Sequence, residues 1–174
     1  MTAIDNTPNN RNFMSPLNFK FQIKKTPNVN FFIQKVNVPE ITLPDATSST
    51  PLVNVPYPGD HLIYGTLNIT FKVDEDFQNY MEIHNWMKAL GKPKEYEQYA
   101  AIEKLPQYSG LGIYSDISVI ALNSAKLANY EFVYTDAWPT RLSQLEFTST
   151  DNSVDYMTAS AVFKYTLYEI TRIR

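Results

Sequence analysis

The sequence predicts a mainly β domain: a β-sandwich or partly closed barrel with one packed α-helix, about Asp76–Leu90, and a long proline-rich loop. Three observations lead there. Apolar and polar residues alternate with a period of two on both sides of a single helical stripe, the mark of half-buried strands. Aromatic residues make up 14% of the chain, with 12 Tyr and 10 Phe, and flat rings pack well on pleated surfaces. The order is strands, one helix, then strands, without the strand–helix alternation of a parallel sheet. With 174 residues the chain fits one domain over 1–174, in which the polar, Asn-rich 1–16 reads as a flexible N-terminal arm.

From Asn18 to Lys24, Phe19, Phe21 and Ile23 alternate with polar neighbours, giving a strand with one buried face. Thr26-Pro27-Asn28 is turn chemistry, and Val29–Val38 reads as a second strand returning alongside the first. Because Phe31, Phe32 and Ile33 are adjacent, either both faces of that strand are covered or a bulge intervenes. Pro39–Pro58 carries Pro39, Pro44, Pro51, Pro56 and Pro58, so it reads as an extended excursion or a sheet edge. A connection this long is usually functional, and proline stiffens it; Asp45, Leu52, Val53, Val55 and Tyr57 are the expected contact residues for a partner.

Gly65–Val73 is the clearest strand, with Leu67, Ile69, Phe71 and Val73 on one face. Asp74-Glu75-Asp76 reads as the N-cap and first-turn acids of the helix. Phe77, Tyr80, Met81, His84, Met87 and Lys88 recur at helical spacing, flanked by Trp86 and Leu90, and Gly91 suits a left-handed C′ position before Pro93. Lys94–Leu105 reads as loop with one helical turn. Three strands are expected after it: Asp116–Leu122, Leu127–Thr135 across the turn Asn123–Lys126, and the long run Asp155–Ile170, which must bend or pair with two neighbours.

Composition excludes more chemistry than it suggests. The net charge of −3 leaves no basic stripe for nucleic acid, and the absence of cysteine excludes disulfides and thiolate metal sites. No run of about 18 apolar residues is present, so no membrane-spanning helix is expected. Residues Met1–Met14 lack the apolar core of a signal peptide, which points to synthesis in the cytoplasm. His61 and His84 have no second ligand at metal spacing, and neither a nucleophile elbow nor a phosphate-cradling loop occurs. The expectation is no catalytic residue, no metal and no cofactor.

One segment is specific. Tyr130–Phe147 reads YEFVYTDAWPTRLSQLEF and is followed by TSTDNSVDYMTASAVFKYTLYEI: a strand, Trp138-Pro139-Thr140, a Leu-rich short strand at Leu142–Phe147, a polar turn and a closing strand. This order resembles the tail tube proteins of T4-like contractile-tailed phages, with pattern agreement over roughly residues 17 to 170. Trp138-Pro139-Thr140 is read as a structural corner, Pro139 turning the chain sharply and Trp138 plugging one end of the core. The resemblance implies a structural subunit and not an enzyme. Six copies would form a ring, each lending strands to an inner barrel, and rings would stack into a tube whose lumen passes DNA without binding it specifically. Tail sheath and baseplate or neck proteins would be further partners, with the protein ending in the virion tail after synthesis in the host cytoplasm. A tube-like adaptor, initiator or terminator at the baseplate or neck, or a ring protein of a bacterial contractile injection system, satisfies the same residues. A sugar-binding β-sandwich using Tyr96, Tyr99, Tyr108 and Tyr114 is the alternative of a different class.

Overall fold

Alternating strands build the core. Leu67, Ile69 and Phe71 are each no more than 1% exposed, and Phe21, Ile23, Ile117, Val119, Ala159, Ala161 and Phe163 close over them from neighbouring strands. Each of the larger of these side chains (Leu, Ile, Val, Phe) contributes roughly 1.5–3 kcal/mol relative to an exposed one. The computed structural model describes residues 12–91, 112–149 and 156–173. The sequence expectations for most of the N-terminal arm, for Lys94–Leu105 with Tyr96, Tyr99 and Tyr108, and for part of the polar turn after Thr148 lie outside these residues.

In chain order the elements are β1 (Phe19–Ile23), α1 (Pro27–Phe32), β2 (Ile33–Val36), β3 (Ile41–Thr42), β4 (Asp45–Ser49), β5 (Asn54–Pro58), β6 (Ile63–Tyr64), β7 (Leu67–Lys72), α2 (Gln78–Leu90), β8 (Ser115–Leu122), β9 (Ala128–Leu142), β10 (Thr158–Lys164) and β11 (Leu167–Arg172). The mainly β class expected from the sequence holds. Seven strands form one antiparallel sheet in the order β1-β8-β9-β10-β7-β2, with β11 also on β9, and this sheet does not close into a barrel.

The second strand expected over Val29–Val38 is instead a short helix followed by a short strand elsewhere in the sheet. Pro27 occupies the first helical turn, where its missing N–H costs nothing. The Glu82 carboxylate on α2 then accepts from the Asn28 backbone N–H (3.2 Å) and the Asn28 side-chain amide (2.8 Å), capping α1 from outside. Burial raises the Glu82 pKa, and these bonds oppose the rise. β2 pairs with β7, not β1, and its register shifts between Ile33 and Lys35.

The helix begins at Gln78, two residues later than expected, and no acid lies in its first turn. Phe77 stands at the N-cap in the left-handed region (φ 59°) without a side-chain cap. The buried Asn79 amide does the stitching: it accepts from Asp74 N–H and donates to Lys72 C=O (2.8 Å). Asn79, Ile83, Trp86 and Ala89 form the buried face, whereas Met81, His84 and Lys88 of the expected stripe are exposed. Gly91 is extended (φ −70°, ψ −155°), not left-handed.

β9 carries the largest correction. Trp138-Pro139-Thr140 lies inside this 15-residue strand and not at a turn between strands. The irregularity is at Asp136, which has φ 53° beside a register shift against β8. One extra residue there changes which positions face the core. Tyr134 is buried before the bulge; Ala137 and Pro139 are buried after it. Trp138 is thereby moved to the other face, half-buried and still packed against the core, level with Lys164 and edge-on to Tyr114 (5.6 Å). The indole that fills the core is Trp86, whose Nε1–H donates to Ile113 C=O (2.9 Å) and whose ring lies under the Lys25 ammonium (5.3 Å). Buried Lys25 also donates to Gly112 C=O (2.5 Å), and burial lowers its pKa to about 8.

β9 ends at Leu142, so the short strand expected to Phe147 does not form; Leu145 still packs on the core. The closing strand is split at Tyr165-Thr166, yet its pairing with β9 keeps one register from Phe163↔Pro139 to Arg172↔Tyr130. β10 pairs with β7 on its other edge and β11 does not, which answers the two-neighbour requirement for half of the run.

Tyr64, Tyr134, Tyr165 and Tyr168 form a cluster, with Tyr134 at 4.9 Å from Tyr165 and 5.2 Å from Tyr168. The Tyr134 and Tyr165 hydroxyls have no hydrogen-bond partner among the described residues. Burial, then the neighbouring phenols, pushes both pKa values up, Tyr165 to about 12.

Three outcomes are expected. Trp86→Ala should cost about 3–5 kcal/mol in a urea melt and Trp138→Ala clearly less; equal losses would contradict the parity change. Asp136→Val should cost about 1–2 kcal/mol, because a β-branched residue resists positive φ, while Asp136→Gly should be near neutral. The raised tyrosines hold their protons in the folded state, so their contribution is present below about pH 10 and is lost as pH rises towards 12. Tyr165→Phe should therefore lose less of its unfolding midpoint between pH 10 and 12 than the parent does, and identical profiles would refute the assignment.

Candidate functional site

The proline-rich stretch is a β-ribbon, not a loop. β3 pairs with β6 at its base, and β4 pairs with β5 from Asp45↔Pro58 to Ser49↔Asn54. Pro56 and Pro58 are tolerated because each strand of a two-stranded ribbon has an open side needing no N–H. Gly59 N–H donates to Pro44 C=O (2.8 Å), and a Cβ on Gly59 would come within 2.4 Å of that oxygen. Only glycine lets the ribbon close so tightly at this point. At the far end Thr50 closes the turn by bonds to Val53.

The ribbon packs chiefly on itself: among the described residues no other element contacts β4 or β5 to an extent comparable with their mutual pairing. Its apolar residues are consequently bare. Leu52 is 98% exposed and Val53 62% exposed at the tip, and Tyr57 is 54% exposed. The pairs Ala46↔Tyr57 and Ser48↔Val55 place Tyr57 and half-buried Val55 on one face. Asp45, opposite Pro58, is on the other. Four of the five residues singled out from the sequence thus lie at the tip or along one face, and Asp45 stands apart from them. Ile41, Leu43, Leu62 and Ile63 at the base are also about half exposed, and sequence reasoning missed them. Their short apolar pairs flanking Pro44 and Pro58 were the available signal.

The second set of unsatisfied groups is the sheet edges. β1, β8, the first half of β9, and β11 make a four-stranded portion whose outer strands, β1 and β11, each pair on one side only among the described residues. At the end of β1 the Asn30 amide occupies the edge groups of Ile23, accepting from its N–H (2.8 Å) and donating to its C=O (3.0 Å). Among the described residues the outward backbone groups of Phe19 and Phe21 have no strand partner. The surface of this portion away from the core mixes charged and polar residues, Lys20, Gln22, Ser118, Glu131 and Glu169 among them, with the apolar Ile120 and Val133.

No group of three or more His, Cys, Asp or Glu side chains among the described residues is placed to hold a metal ion. His61 and His84 are both exposed, and Asp74-Glu75-Asp76 forms the turn before α2. No helix among the described residues is long and apolar enough to cross a membrane.

The same fold occurs in solved contractile assemblies. The structure of the anti-feeding prophage cap, a tube-terminating cap, aligns at TM-score 0.63 with 14% identity, covering 99% of this chain and 100% of that one. A sheath-tube complex of the extracellular contractile injection system PVC aligns at 0.60 with 14% identity, covering 94% of each chain. A chain of the anti-feeding prophage baseplate aligns at 0.59 with 13% identity, covering 88% and 90%. A search of curated proteins finds no match. The family model for phage tail tube proteins matches residues 4–171, and the chain belongs to the phage tail tube protein family.

Proposed function

We propose that this chain is the repeating structural subunit of a contractile phage tail tube, assembling into hexameric rings that stack and conduct DNA. The observation that carries the reading is an arm with bare Leu52, Val53 and Tyr57 on a domain whose four-stranded portion ends in two open edges. Open edges are templates for pairing with another chain, and closing them in a ring removes them. Each neighbouring pair in β1-β8-β9-β11 is antiparallel, so β1 and β11 run in opposite directions. A rotated copy therefore brings its β1 antiparallel to β11 of the first, and the step repeats until the ring closes.

In this arrangement the mixed surface of the four-stranded portion lines the lumen. Its interspersed acids oppose the strong phosphate pairing that would stall DNA. The ribbon reaches a neighbouring subunit, and burying Leu52 and Val53 there would contribute roughly 3–6 kcal/mol before ordering costs. Sheath and baseplate or neck proteins meet the outside of the assembled tube, and the virion tail is its destination after synthesis in the host cytoplasm.

The test is assembly. Purified protein should form rings or tubes in negative stain; single rings that never stack would identify a terminator or initiator instead. Replacing 45–58 by a brief Gly-Ser turn should leave a folded monomer with a near-native circular dichroism spectrum that no longer assembles. Normal polymerisation of the shortened chain, or its failure to fold, would remove the contact role of the ribbon.

A further inference from the structure

We infer that Glu169 on β11, with Lys20 on β1 and Lys24 just beyond its end, forms a charge lock that selects β11 of one copy for β1 of the next. The inference rests on the edge-to-edge reading above and specifies its partner as a second copy of this chain, joined through one complementary strip.

Three constraints converge on these residues. The first is the face. The cross-strand row Gln22–Ser118–Val133–Glu169 lies on the side of the sheet away from the core, as does the row Lys20–Ile120–Glu131–Thr171. A one-residue slip at the junction would turn the core side of one copy onto the mixed side of the next, so only even offsets are admissible.

The second is backbone parity. Leu122 N–H bonds Asn18 C=O, so the even-numbered residues of β1 point their backbone groups at β8, and Phe19 and Phe21 point theirs outward. Ile173 N–H bonds Asn129 C=O, so on β11 it is Tyr168, Ile170 and Arg172 that point outward. Pairing Phe21 with Ile170 and Phe19 with Arg172 satisfies both edges. It also brings half-exposed Ile170 beside Phe21 on the core side.

The third is charge. With Phe21 opposite Ile170, Glu169 is level with Gln22 and diagonal to Lys20 of the neighbour, with Lys24 following just past the end of β1. A shift of two residues that sets Glu169 directly opposite Lys20 keeps the same opposite-charge pairing, so the charges select the two edges and not one register. Direct and diagonal neighbours are both within reach of such long side chains. Glu169 is the single acid on β11, Lys20 is exposed on the matching side of β1, and Lys24, the residue after β1, is also exposed. The lock also occupies the lysines closest to the junction, which would otherwise be offered to DNA phosphates in the lumen.

The experiment uses the full chain and two charge reversals, Glu169→Lys and the double variant Lys20→Glu with Lys24→Glu, with ring formation read by sedimentation and negative stain at low salt. Each reversal alone should raise the protein concentration needed for rings at least tenfold, because every junction then sets like charges together. Mixed in equal amounts the two should assemble within about threefold of the parent, since alternating copies restore opposite charges at every junction of an even-membered ring. Rescue on mixing also shows that both variants are folded. Parent-like assembly by either reversal alone, or no rescue on mixing, overturns the charge lock and leaves edge pairing standing. Failure of the parent chain to form any ring overturns the edge-to-edge reading and the lock with it.

Discussion

Strand β9 pairs along one edge with β8 and along the other with β10 and β11, and nearly every other feature of the domain is placed by it. Its length alone would not suffice. A regular 15-residue strand keeps one set of alternate residues on the core side throughout. The bulge at Asp136 changes that set midway, so Tyr134 enters the tyrosine cluster while Ala137 and Pro139 continue the core beyond it. The left-handed conformation at Asp136 is a local strain tolerated because register on both sides is held by long ladders.

Polar side chains then fix what the strands leave loose. Asn79 ties the start of α2 to the end of β7, Glu82 caps α1, and Asn30 both holds α1 to β1 and blocks the last open position of that edge. Each is an amide or carboxylate that satisfies backbone groups which strand pairing or helix bonding cannot reach. Blocking Ile23 while leaving Phe19 and Phe21 open confines pairing to a short defined stretch, one way of keeping an exposed edge from indiscriminate association.

The ribbon follows a different logic. It contributes nothing large to the core, its base depends on the absence of a side chain at Gly59, and its prolines stiffen it without needing sheet neighbours. Its apolar residues Leu52, Val53 and Tyr57 are thus left exposed on a stiff two-stranded arm.

The sequence by itself determined the mainly β class, the core positions of β1 and β7, and the family, because period-two alternation and the order of segments around Trp138-Pro139-Thr140 are local properties of the chain. It also marked Leu52, Val53, Val55 and Tyr57 as residues outside an ordinary core. Only the tertiary structure decided the rest. Six residues of helix at Pro27–Phe32 are too few for a periodic signal, and their cap, Glu82, lies on another helix. The face that Trp138 takes depends on a bulge whose register belongs to two strands at once. Which edges stay open is a property of which strands pair, and pairing joins residues far apart in the chain, so no local pattern could have revealed β1 and β11 as the ends of the four-stranded portion.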